Sequence, residues 1–126
     1  MEALDLRVLA QLAEIQRNGR PGFVDRVIAL FLQTAPNLIK ELETASANNE
    51  LGDLHHASHT LKPCSATVGA LSLAALCEAL EKTARSCSIP NAEARVQEIA
   101  QEYKRVDAAL RMQRERFRHS PDGAHS

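Results

Sequence analysis

An all-α fold is predicted for this chain by three features of its 126 residues. Apolar side chains recur at spacings of three and four along nearly the whole length, strand-like alternation is absent, and clusters of Gly, Pro and Asn cut the periodic stretches apart. The stretches are long and the cuts short, which is the pattern of an antiparallel four-helix bundle with a short extra N-terminal helix. The length suits one domain and suffices to bury a core without disulfide or metal staples. The domain is placed at residues 1–119, and residues 120–126 read as a flexible polar tail.

The first helix carries Leu6, Leu9 and Leu12 inward and is ended by Asn18-Gly19-Arg20-Pro21-Gly22. A long second helix aligns Val24, Val27, Ile28, Phe31, Ala35, Leu38 and Leu42; Pro36 within it reads as a kink that fits the bundle. Asn48 to Asp53 makes the next turn. The third helix runs from about Leu51 to Thr67, with Leu54, Ser58, Leu61, Ser65 and Val68 on its buried face and Gly69 ending it in a left-handed conformation. A fourth helix turns Leu73, Leu76, Cys77, Leu80 and Ala84 inward. Ile89-Pro90-Asn91 forms a loop with Asn91 as N-cap. The last helix aligns Ala92, Val96, Ile99, Tyr103, Val106 and Leu110, and its closing Arg111, Arg114, Arg116, Arg118 and His119 complement the helix dipole rather than form a docking patch.

The chemistry is concentrated in His55-His56-Ala57-Ser58-His59-Thr60-Leu61-Lys62. On the helical wheel His59 points roughly 140° from the buried face, into solvent. Lys62 follows at i+3, near enough to reach the same small anion, and His55 and Ala66 extend the stripe by a turn each way. A nucleophilic imidazole beside an ammonium is the minimum needed to hold a phosphoryl group on nitrogen. The reaction needs a neutral imidazole, the prevailing form of an unperturbed histidine above about pH 6.5. At ~4 Å near a protein surface, an ammonium attracts each phosphate charge by up to ~4 kcal/mol before screening.

The stretch Ala57-Ser58-His59-Thr60-Leu61-Lys62, followed by Ser65, Gly69-Ala70, Leu76-Cys77 and Leu80-Glu81, resembles the histidine-containing phosphotransfer (HPt) domain of two-component phosphorelays. Phe31-Leu32-Gln33-Thr34-Ala35-Pro36, with Leu38, Leu42 and Ala45, is similar to the helix preceding the motif in that family. The resemblance implies that His59 accepts phosphate and that Lys62 stabilises its charge. It also implies partners: the receiver domains of a hybrid sensor kinase and/or a response regulator. The chain then acts as a stoichiometric carrier without kinase activity or a cofactor of its own, and magnesium belongs to the receiver. A partner surface is expected around His55, Ser58, Ala66 and Gly69, whose small residues admit a close approach. One position departs from the family pattern: Pro63 stands where the family usually has glycine after the lysine. Proline there removes the backbone donor to the His59 carbonyl, so a bend or widened turn over His59 to Pro63 is expected, with Ser65 a candidate donor to that carbonyl. Pro63 also leaves a second reading open, a helical docking module that binds signalling partners without phosphotransfer.

Composition removes other classes. Charged residues make up 25% and sum to −1, and aromatics are 3% with no Trp, so neither a steering field nor a stacking platform for nucleic acid is available. Cys64, Cys77 and Cys87 are odd in number and without paired spacing, which suits reduced thiols rather than a disulfide or zinc framework. His55 and His59 at i,i+4 supply two ligands, short of a metal site, and no glycine-rich cradle for nucleotide phosphates is present. The acidic start Met1-Glu2-Ala3-Leu4-Asp5 and the lack of a long apolar run predict a cytoplasmic chain without membrane insertion, and a monomer is expected.

Overall fold

The computed structural model describes residues 2–85 and 92–119. Five helices follow in order among them: α1 (Leu6–Arg17), α2 (Phe23–Ala47), α3 (Leu51–Thr67), α4 (Leu71–Arg85) and α5 (Ala92–His119). Helices α2 to α5 form an antiparallel four-helix bundle in which α3 packs between α2 and α4, and α5 closes the ring against both; α1 lies on α2. The expected Asn91 cap, Cys87 and the tail from residue 120 lie outside the described residues.

Each helix end has a local cause. Asp5 caps α1 by accepting the Arg7 backbone N–H at 3.0 Å. The turn into α2 uses Gly22 at φ +74°, and the Gln16 side chain accepts the Val24 N–H at 3.0 Å, tying the end of α1 to the start of α2. The turn after α2 uses Asn49, whose φ of 56° is one that asparagine tolerates, while Glu50 N–H returns to the Ala45 carbonyl at 2.9 Å. Helix α3 ends the same way: Gly69 at φ +82° lets Ala70 N–H reach the Ser65 carbonyl at 2.9 Å. Gly69 is required twice over, because a Cβ there would lie 2.7 Å from the Asp5 carbonyl.

The core is the predicted set of stripes with adjustments. Val24, Ile28, Phe31, Ala35, Leu38 and Leu42 of α2 are buried, joined by Ile39 and Ala45. Leu54, Ala57, Leu61 and Val68 meet Leu73, Cys77 and Leu80, with Val96, Ile99, Val106 and Leu110 closing the other side. Phe31 and Tyr103 pack 6.0 Å apart, tilted by 45°. Val27, Leu76 and Tyr103 are half-buried. Leu6, expected inward, is 46% exposed; α1 packs mainly through Leu9 because it touches one side of the bundle only. At the far end of α5, Arg114 bonds both carboxylate oxygens of Asp25 at 2.6 and 3.2 Å, and Arg111 pairs with Asp107 at 2.9 Å. These arginines hold the helix to its neighbours and to itself.

Neither internal proline ends its helix: α2 continues through Pro36 and α3 through Pro63. Proline costs α3 a backbone hydrogen bond without interrupting it. The relief expected from Ser65 takes another form, since its hydroxyl donates to the Leu61 carbonyl at 2.8 Å. Ser58, Thr60 and Thr67 likewise donate to carbonyls four residues back on the same helix.

Candidate functional site

The site lies where the solvent edge of α3 meets α4. His59 is carried outward as the wheel requires, its side chain 63% exposed. Lys62, one turn on, is more enclosed and lies along the groove toward α4. Glu81 of α4 faces them with a side chain only 5% exposed. Its Oε1 accepts from Lys62 Nζ at 2.9 Å and its Oε2 accepts from His59 Nδ1 at 2.8 Å. His55 stands one turn before His59, its ring parallel to that of His59 within 6° at a centroid separation of 5.9 Å, and its Nε2 lies 3.6 Å from the same Oε2.

This carboxylate decides which tautomer the neutral imidazole adopts. The Lys62 ammonium, and after it the His59 ring, hold the Glu81 carboxyl down at about 2, against the pull of burial in the other direction. Glu81 is therefore ionised at neutral pH and can only accept hydrogen bonds. The proton of neutral His59 must then sit on Nδ1, which leaves Nε2 as the nitrogen with a free lone pair. An exposed imidazole oriented through Nδ1, whose neutral form leaves Nε2 unprotonated, with an ammonium within a turn, is equipped to take an electrophilic phosphoryl group.

The residues expected from sequence divide cleanly. His59, Lys62 and His55 are brought together, and Ala66 is exposed on the same helix. Ser58 is a correction: it is fully buried, its hydroxyl donating to the Leu54 and His55 carbonyls at 2.7 and 3.1 Å, so it offers nothing to a partner. Gly69 is a second correction, buried beneath the N-terminal segment, with its carbonyl accepting from Asp5 N–H at 2.8 Å. Both are small because helices and chain pack closely over them. His56 turns the other way and lines a groove of about 730 Å³ with Lys40 and Glu41 of α2. Cys77 is a buried thiol pushed up to about 12 by burial, which makes it unreactive packing.

Glu81 carries a role that sequence reasoning did not assign. The signal was present: Cys77, Leu80 and Ala84 define the inward stripe of α4, and Glu81 falls within it. An acid in an apolar stripe requires a partner across the interface.

The family model for the Hpt domain matches residues 26–109, from the first turn of α2 to the second half of α5, and so includes every residue of this site. Among solved structures, histidine-containing phosphotransfer protein B (HptB) from Pseudomonas aeruginosa PAO1 is similar, with 28% identity and a TM-score of 0.82 over 92% of this chain and 97% of that one. No curated protein matches the chain. With the family pattern spanning most of the sequence and the same bundle in the solved relative, the chain belongs to the Hpt domain family, the phosphotransfer carriers of phosphorelays.

Proposed function

We propose that the chain accepts a phosphoryl group on His59 Nε2 from the aspartyl phosphate of a receiver domain and passes it to a second receiver. The observation that carries this reading is the exposed His59 ring whose Nδ1 is held by the buried, ionised Glu81. In the forward step the Nε2 lone pair forms the N–P bond, the acyl O–P bond breaks, and the aspartate leaves as a carboxylate. The Nδ1 proton stays in its bond to Glu81, and the ring becomes a phosphoimidazolium. In the onward step an aspartate of the second receiver attacks phosphorus, the N–P bond breaks, and the imidazole leaves neutral with the same proton still on Nδ1. No general base is needed in either direction. Lys62 offsets the charge of the transferred group. Magnesium serves the receiver, where the acyl phosphate is made and consumed.

The carrier is read as a cytoplasmic monomer that does not phosphorylate itself from nucleotide. No helix among the described residues is long and apolar enough to cross a membrane. The second reading, a docking module without phosphotransfer, is the one that Pro63 keeps open; α3 continues through that position, and uptake of label by native His59 would eliminate this alternative.

The test is incubation of native protein and His59→Gln with a panel of receiver domains charged with labelled phosphate. Native protein should take up acid-labile label from at least one receiver, and H59Q should take up none while keeping its helical spectrum. Label mapped to His55 or His56, or retained by H59Q, would overturn the assignment.

A further inference from the structure

Three side chains of α3 converge on one carboxylate, and only two of them bond to it. Lys62 and His59 occupy the two oxygens of Glu81 at 2.9 and 2.8 Å, whereas His55 Nε2 stands 3.6 Å from Oε2. That distance is too long for a hydrogen bond and short enough for an ion pair once the ring is charged. His55 is 41% exposed, so a proton can reach it from water, while Glu81 is nearly sealed. We propose that His55 is a positioning residue of the transfer, taking over the Glu81 carboxylate by protonation when Lys62 turns to the phosphoryl group on His59. This inference rests on the carrier reading given above.

In the resting chain the Lys62 ammonium holds one oxygen of the almost buried carboxylate and offsets part of its charge. A phosphoryl group on Nε2 brings most of two negative charges into the same groove, and a lysine on its flexible stem can follow them. Glu81 then keeps the Nδ1 proton of His59 while the Lys62 ammonium leaves its Oε1. The carboxylate and the phosphoryl group now both favour a cation nearby, and His55, already parallel to His59, is the titratable group placed to become one. Among the described residues, the titratable and charged groups on this side of the bundle are His59 and Lys62 on its own helix and Glu81 on α4, where Glu78 and Lys82 are exposed beside it. Lys40 and Glu41 of α2 face the His56 side of α3 instead. The proton comes from solvent on loading and returns to it when the phosphoryl group leaves, so transfer toward His59 becomes more favourable as pH falls.

The experiment equilibrates native protein and His55→Gln with the receiver that loads the native chain, between pH 6 and 8, and reads the phosphoryl partition. Both proteins share whatever pH dependence the phosphoryl group and the receiver contribute. Native protein should show an additional shift toward His59 with falling pH, up to about tenfold per pH unit for one linked proton, and H55Q should lack it. In parallel, histidine side-chain NMR of the native protein at fixed pH should show the His55 signals moving toward the protonated form on loading, a change that a merely structural residue would not undergo. Should H55Q prove unstable, the NMR measurement on native protein decides alone. Coincident pH profiles, or His55 signals unmoved by loading, overturn the proposal while leaving the carrier reading intact; a native chain that takes no label from any receiver overturns both.

Discussion

Glu81 combines near-complete burial with a charge, and Lys62 and His59 stabilise that charge by bonding to it from the neighbouring helix. Its folded carboxyl titrates at about 2 against 4.5 for the unperturbed group, so the pairing stabilises the fold fully above pH 4.5 and loses its effect as pH falls toward 2. Chemical denaturation should therefore show native protein more stable than Glu81→Gln at pH 7, with the gap closing between pH 4.5 and 2. A gap independent of pH would mean that the charge of Glu81 contributes nothing. Lys62 acts on the loaded state. Replacing it with alanine should shorten the phosphohistidine lifetime by about tenfold, the size of one charge-assisted hydrogen bond of roughly 1.5 kcal/mol. The decay of isolated, labelled protein measures this without a partner. His59 and Lys62 were legible from sequence because their facing follows from helical periodicity on one element. Glu81 was not, since its role depends on which residue of α4 comes opposite His59.

At the scale of the element, α3 is an unusual helix to hold a reaction site. It contains a proline, and four of its hydroxyls donate to carbonyls of their own helix. Such residues are mediocre helix formers, and packing between α2 and α4 supplies what propensity does not. Pro63 is exposed, so a replacement meets solvent rather than core. Pro63→Ala restores the backbone donor to the His59 carbonyl and should raise stability by roughly 1–3 kcal/mol, read from the denaturation midpoint, with phosphoryl acceptance retained. A loss of acceptance in that variant would show that the open carbonyl takes part in the transfer. The sequence anticipated strain here and misplaced its relief: Ser65 is buried, so its hydroxyl must be satisfied on its own helix and binds Leu61.

For the molecule as a whole, the site depends on a core that is continuous from α2 to α5. Leu61 sits between His59 and Lys62 on α3 and is fully buried. Leu61→Ala should cost about 2–5 kcal/mol, a large part of the roughly 5–15 kcal/mol that a domain of this kind possesses. The variant should load His59 normally at low temperature and lose acceptance in step with its unfolding; acceptance lost while the helical signal persists would show that Leu61 positions the ring directly.

What the sequence by itself determined is what local periodicity encodes: the five helices, most of their inward stripes, the glycine that ends α3, and an outward histidine with a lysine one turn later. These depend on spacing within one element, and 3.6 residues per turn suffices to place them. Only the tertiary structure decided that Glu81 meets His59 and Lys62, that His55 waits 3.6 Å from the same oxygen, and that Ser58 and Gly69 are small because neighbours press on them rather than because a partner approaches. Those outcomes depend on the register of α4 against α3 and on where the N-terminal segment crosses the end of α3. Such register is set by the packing of whole helix faces, which no spacing within a single helix contains.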